Sequence, residues 1–351
     1  MNGPEGMPLL VTGASGFVGG WLAGFLHARG YPVRALYRRE RTPAHVEALA
    51  LQGAQVERGD LTEPADVRRA VRGTRGIIHA ASLTSDWGPP EAFRRANVEP
   101  TLMLLEEARR EGCDTFLYIS TVAVHGFGPH LESTEEGPYY PLAYPYQLSK
   151  KEAEECVRAA NGPALRTICI RPGNVYGPRD TTTFYPLLSA VRRGVRGTLG
   201  GGRSLTCPVY VTDLCEAVYL ALRSAQSAGE VLNITGAERV SWGELMGYAA
   251  SLLGARPWLS LPIGAARLAA KLLVWLYRAA GASSAPPLTP YRVEQLAHDY
   301  HFSIAKAQAM LGYVPAVGWR EGLRRTVAAY RQDVLEGRRP GRRRRTEARR
   351  G

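Results

Sequence analysis

A chain of 351 residues with 45% hydrophobic content buries a large core, as one long domain or two closely packed ones, which excludes a fibrous or disordered protein. The formal charge of +12 suggests an acidic partner, but residues 337–351 hold eight Arg and one Glu, so that tail supplies +7 and leaves +5 elsewhere. The body lacks the interleaved aromatics or reading helix of a nucleic-acid binder, so the Arg-rich end, 334–351, reads as a disordered, solvated tail and nucleic acid is not the expected partner.

The N-terminus enters a strand without a basic start and an apolar signal segment, and the five cysteines (Cys113, Cys156, Cys169, Cys207, Cys215) are odd in number with no Cys-x-x-Cys spacing. They read as reduced packing residues of a cytoplasmic protein, and no metal site is assigned. Pro8 to Thr12 is a short apolar strand running into Gly13-Ala-Ser-Gly-Phe-Val-Gly19 and an amphipathic helix at 21–29. Gly13 allows the tight turn, Gly16 lets backbone approach a pyrophosphate, and Gly19 lets helix and strand pack closely; Ser15, Phe17 and Val18 complete the same cradle. A second strand at Val33 to Tyr37 closes a βαβ unit, so dinucleotide binding is expected. Where an NAD enzyme places an acid for the ribose, this chain has Tyr37-Arg-Arg39; Arg38 favours a 2′-phosphate, hence NADP(H), with NAD(H) as the alternative.

Val56 to Leu61 reads as the third strand, with Asp60 and Leu61 flanking the adenine. Ile77 to Ser82 is the fourth, where small Ala80 and Ala81 leave room for cofactor and His79 is a packing residue. Phe116 to Thr121 is the fifth, presenting Ser120 and Thr121 at the strand end where open α/β sheets bind ligands. Pro145 suits a first helical position, and the charged run after it puts Tyr146 and Lys150, four apart, on one helix face. A nearby ammonium lowers a phenol's pKa, which makes Tyr146 a usable general acid/base. Strands alternating with helices predict a parallel, doubly wound α/β sheet of the Rossmann type.

These motifs resemble the extended short-chain dehydrogenase/reductase superfamily, which contains nucleotide-sugar epimerases and dehydratases, 3β-hydroxysteroid dehydrogenases and dihydroflavonol reductases. The signatures are Thr12 to Gly19, Gly59-Asp-Leu61, His79-Ala-Ala81, Asn97-Val98, Ser120-Thr121, Tyr146 to Lys150, Arg171 to Pro178, Val211 to Leu214 and Ala307 to Pro315, spanning about 8–333. The resemblance implies that Tyr146 is the acid/base, that Lys150 holds the nicotinamide ribose, that Thr121 is the catalytic hydroxyl, and that Asn97 supports the site. It also implies that Pro172, Asn174 and Val175 line the nicotinamide.

The resemblance further implies an NAD(P)-binding domain at 1–176, with 205–235 returning to the sheet through Val209 to Leu214 and Glu230 to Ile234. A smaller substrate-binding region is built from 177–204 and 236–333, and homodimers form through Val98 to Arg110 and Glu152 to Ala160. Nucleotide-sugar relatives place a diphosphate-binding arginine seven residues before the position of Asp213; here that residue is Thr206, with Arg203 the nearest substitute, which favours an apolar alcohol or ketone over a nucleotide sugar. A sugar epimerase or dehydratase, and a non-catalytic NADP-binding regulator, stay open as alternatives. In Leu261 to Ala280, Arg267, Lys271 and Arg278 share one helical stripe and Leu268, Leu272, Trp275 and Leu276 lie largely off it. That pattern fits either a helix at a membrane surface or a substrate lid with its apolar side packed on the body.

Overall fold

The computed structural model describes residues 6–194, 197–255, 259–282 and 284–336. The Arg-rich run from 337 lies outside them, whereas 334–336, expected in the tail, end a π-helical turn at Arg331–Glu336.

Seven parallel strands form the central sheet: β1 (Leu9–Thr12), β2 (Val33–Tyr37), β3 (Gln55–Arg58), β4 (Gly76–His79), β5 (Thr115–Ile119), β6 (Arg166–Pro172) and β7 (Val231–Ile234). Their spatial order is β7-β6-β5-β4-β1-β2-β3. The chain winds outward from β1 in one direction and from β4 in the other, so the switch point lies between them, with Thr12 opposite His79 at the carboxyl ends. Strands β1, β4 and β5 are buried at every position, as a sheet covered on both faces requires. One covering layer is led by helix α1 (Phe17–Ala28), whose Leu22 and Leu26 are fully buried. Each such leucine contributes roughly 1.5–3 kcal/mol relative to an exposed one. The other layer holds α2 (Glu99–Arg110) and α3 (Pro145–Ala159), packed on Phe116 and Tyr118 through Leu104, Ala153 and Val157.

Of the two segments expected to rejoin the sheet, Glu230 to Ile234 does so as β7, beside β6. Val209 to Leu214 does not. Among the described residues Pro208–Tyr210 pair only with Asn174–Tyr176, and Val211–Arg223 is helix, because Leu214, Cys215 and Val218 repeat at helical spacing and pack beneath the sheet. A second core gathers Phe184 and Leu188, Trp242 and Leu245, and Trp319, Leu323 and Tyr330 from segments far apart in the chain. Against that half lie helices α4 (Ile263–Ala279) and α5 (Pro290–Ala297), joined through Ala266, Ala270 and Val293. Among the described residues no helix is long and apolar enough to cross a membrane.

Candidate active site

The turn after β1 is pressed against the end of β4. Gly13 has φ +72°, and a Cβ there would meet the Ala81 backbone at 2.9 Å; a Cβ on Gly19 would meet the Gly13 carbonyl at 2.3 Å. Helix α1 begins at Phe17 with no side-chain cap and no acid in its first turn, leaving free N–H groups at its positive end beside the exposed Gly16. These features fit a dinucleotide pyrophosphate. The Thr12 hydroxyl oxygen accepts from the N–H groups of Ala80 and Ala81 at 3.1 Å each and bonds His79 Nδ1 at 2.8 Å, locking both sides of the switch point together. His79 Nε2 faces Thr101 Oγ1 at 3.1 Å, and burial pushes this imidazole down to about 3, so it is a neutral packing residue.

Helix α3 starts with Pro145 at its first turn and carries Tyr146 and Lys150 one turn apart. Lys150 is 2% exposed. Its Nζ donates to the Ile119 carbonyl at 2.6 Å and lies 4.1 Å over the Tyr118 ring. Burial lowers this ammonium to about 7, opposed by the carboxylate of Glu154 one turn further on. The partly buried Tyr146 phenol is pushed up to about 12 by desolvation, with the Thr121 hydroxyl acting the other way. This corrects the expectation that Lys150 depresses the tyrosine: its ammonium is held at the strand end by a carbonyl and an aromatic face, and Tyr146 keeps its proton.

Ser120 and Thr121, read as the end of the fifth strand, follow β5. They part company there. Thr121 caps the short helix Val122–His125, accepting from Ala123 N at 3.2 Å, and stays beside Tyr146. Ser120 turns away and donates to Glu154 Oε2 at 2.6 Å, so its expected catalytic role gives way to a structural one. Glu154 is fully buried and takes two bonds from Arg171, from Nη2 at 2.6 Å and Nε at 2.9 Å. Arg171 Nη1 also reaches His125 Nε2 at 2.8 Å, the Glu135 carbonyl at 3.1 Å and the Tyr139 hydroxyl at 3.1 Å. His125 accepts there and is held neutral, at about 3, chiefly by burial and then by the guanidinium. Asn97 sits in the π-helical turn Arg94–Val98. Its Nδ2 donates to Ser149 Oγ at 2.9 Å and its Oδ1 accepts from Leu83 N at 2.7 Å, so it ties the loop after β4 to α3 beside Lys150.

Beyond the carboxyl ends of β2 and β3, Arg38 is 73% exposed and stands 3.8 Å from Asp60. The two line an open cleft of about 350 Å³ with Arg58, Gly59 and Asp66. Arg58 carries no signal of its own in the sequence because it is the last residue of β3; Leu61, expected at the adenine, instead packs against the core. Of the residues expected to line the nicotinamide, Pro172 ends β6 and Val175 packs on the core, but the Asn174 amide is spent on Thr206 Oγ1 at 2.8 Å and Gln295 Nε2 at 3.0 Å. Among the described residues no cluster of His, Cys, Asp or Glu is placed to hold a metal ion.

An aromatic wall faces Tyr146. Tyr291, on α5, has its ring 6.3 Å from that of Tyr146, 5.2 Å from Tyr144 and 4.9 Å from Phe127, and Phe127 in turn meets Tyr300 at 5.7 Å. The loop after β4 clasps α5: Asp86 takes Arg292 Nε at 2.8 Å and also accepts from Thr289, the cap of that helix. Nothing local to Tyr291 in the sequence marks it; it stands far along the chain from Tyr146 and is brought there by tertiary packing.

The chain is 33% identical over 321 residues (90% of this chain, 95% of the relative) to a 4-hydroxy-2-methyl-3-oxo-4-farnesyl-3,4-dihydroquinoline-1-oxide ketoreductase of Stigmatella aurantiaca. It is 31% identical over 332 residues (92% and 99%) to a 2-alkyl-3-oxoalkanoate reductase of Stenotrophomonas maltophilia. Among solved structures it resembles MoeE5 in complex with UDP-glucuronic acid and NAD, with TM-score 0.74, 26% identity and coverage of 93% and 100%. The profile of the NAD dependent epimerase/dehydratase family matches residues 9–235. With the glycine turn at a switch point, the Tyr146 and Lys150 helix and these relatives, the chain belongs to the NAD dependent epimerase/dehydratase family, an oxidoreductase-type enzyme family within the extended short-chain dehydrogenases/reductases.

Proposed function

We propose that this enzyme reduces the ketone of an apolar substrate to a secondary alcohol, with NADPH preferred over NADH. The observation that carries the reading is the pairing of a protonated Tyr146 with the aromatic cluster of Tyr291, Tyr144 and Phe127 beside it. A phenol held near 12 is a proton donor at neutral pH, which suits a carbonyl oxygen gaining negative charge. Thr121 adds a second hydrogen bond to that oxygen, and Lys150, anchored at the end of β5, holds the nicotinamide ribose. The bound cofactor supplies the hydride to the carbonyl carbon.

Thr206 supports the apolar class. It is fully buried and bonded to Asn174, so it offers no cation to a diphosphate at the place where a nucleotide-sugar enzyme presents an arginine. The names of the two ketoreductase relatives agree in reaction type. Arg38 and Arg58 at one cleft support the preference for a 2′-phosphate.

The test is consumption of NADPH and of NADH by the purified protein with a 2-alkyl-3-ketoacid, a 3-ketosteroid and a UDP-4-ketosugar. Turnover with an apolar ketone and NADPH supports the proposal. Turnover confined to the nucleotide sugar with NADH overturns it in favour of an epimerase or dehydratase, and cofactor binding without any turnover points to a regulator.

A further inference from the structure

Among the described residues, the outward side of α4 is the largest concentration of exposed large apolar side chains on one element. Leu268 is 71% exposed, Leu272 55%, Trp275 64% and Leu276 46%, with Leu261 just ahead of the helix at 40%. At 3.6 residues per turn the four helical side chains fall within an arc of about 100°. The face turned to the body is instead built from Ala266 and Ala270, both fully buried against Leu199 and Val293. A lid helix packed by its leucines would show the reverse. The body holds α4 by its alanines and presents its leucines and tryptophan to the outside.

Charge decides what covers such a face. Arg267, Lys271 and Arg278 flank the apolar stripe on one side, and α4 contains no acidic residue. Arg267 is braced by Glu294 through two bonds of 2.8 Å, Arg278 lies 5.8 Å over the Trp87 ring, and Lys271 is in no ion pair among the described residues. A two-fold contact with the two α4 helices antiparallel would set these cations against their own images. It would also rest on one helix about 25 Å long, well short of the roughly 800 Å² per partner that a stable dimer needs. An apolar stripe with a basic flank and a tryptophan at its edge matches the boundary between acyl chains and anionic headgroups.

We infer that the α4 face formed by Leu268, Leu272, Trp275 and Leu276 docks onto an anionic lipid bilayer, with Lys271, Arg267 and Arg278 at headgroup level. The helix lies in the interface and does not span it, in keeping with its length and its cations. Docking there orients the catalytic half. Helix α4 packs on α5, and α5 carries Tyr291 to Tyr146, so the aromatic wall stands one helix away from the lipid surface. The inference goes beyond the redox proposal and stands whichever ketone is reduced, because its test reads binding and not turnover.

The experiment is flotation of the full-length protein with phosphatidylcholine vesicles, with and without phosphatidylglycerol. It is repeated for the double variant Leu268→Glu/Trp275→Glu and for a chain ending at residue 336, which lacks the Arg-rich run. Circular dichroism and NADPH binding confirm that the double variant is folded, as expected for side chains that are mostly exposed. The expected result is binding of the wild type to phosphatidylglycerol vesicles, retained in the shortened chain and weakened roughly tenfold or more in the double variant. Three results overturn the inference: no vesicle binding by the wild type, equal binding by the double variant, or loss of binding only in the shortened chain. A change confined to oligomeric state in the double variant also overturns it, in favour of a second copy as the occupant.

Discussion

Tyr146 and Lys150 share a helix face but answer to different surroundings. Desolvation holds the phenol near 12, so its value lies in donating a proton. Tyr146→Phe removes that proton and leaves the ring, and the expected loss in kcat is about 100- to 10,000-fold with NADPH affinity retained. Equal turnover in the Phe variant would move the proton source elsewhere. Lys150 is lowered to about 7 in the folded chain, against ~10.4 when unfolded. Below pH 7 both states carry the ammonium, and the cost of burying it is present in full. Between about 7 and ~10.4 the unfolded state binds the extra proton, so this group makes stability rise with pH. Lys150→Met removes the term. The melting temperature of the ligand-free wild type, minus that of the Met variant, is therefore expected to increase from pH 7 to pH 10; a flat difference would mean the lysine is not buried as a charge.

Helix α3 is fixed by charge as well as by packing. Glu154, one turn past Lys150, meets Arg171 of β6 with both groups essentially buried, and Ser120, His125 and Tyr139 complete the network. Arg171→Met leaves a buried carboxylate without its cation, at an expected cost of about 3–5 kcal/mol in urea unfolding. Thr121→Ala, by contrast, should lower kcat with about 0.5–2 kcal/mol of stability change, because the lost bond is a single cap at a short helix. Adjacent residues thus carry opposite duties, and this is where the sequence stops being legible. The glycine turn was readable because each of its demands is local: a positive φ at Gly13, a close approach at Gly19. Tyr146 and Lys150 were readable because helical spacing alone puts them together. Which of Ser120 and Thr121 faces the phenol depends on where Glu154 and Arg171 stand, and Val211 to Leu214 is not part of the central sheet because its apolar spacing serves a helix. The leucines of α4 point outward because alanines, not leucines, fit against Leu199 and Val293.

At the scale of the molecule the active site is completed by a contact between distant parts of the chain. Asp86, on the loop after β4, reaches Arg292 and Thr289 at the start of α5, and the next residue along, Trp87, lies under Arg278 of α4. This clasp ties the two-helix unit to the loop after β4, through the same helix that carries Tyr291 to Tyr146. Asp86 is nearly buried, with 10% of its side chain exposed, while the Arg292 side chain is 44% exposed, so the pair is screened from water on one side only. Its coupling is therefore larger than that of a surface ion pair, and removing either partner should let the wall withdraw. Arg292→Ala and Asp86→Ala are each expected to raise KM for the apolar ketone roughly three- to thirtyfold with little change in kcat. The double variant should be no worse than the more affected single one, because both changes break the same contact. Strictly additive effects would show that Asp86 and Arg292 act separately. A fall in kcat at constant KM would show that the clasp serves the chemistry of Tyr146 directly and not the placing of the substrate wall.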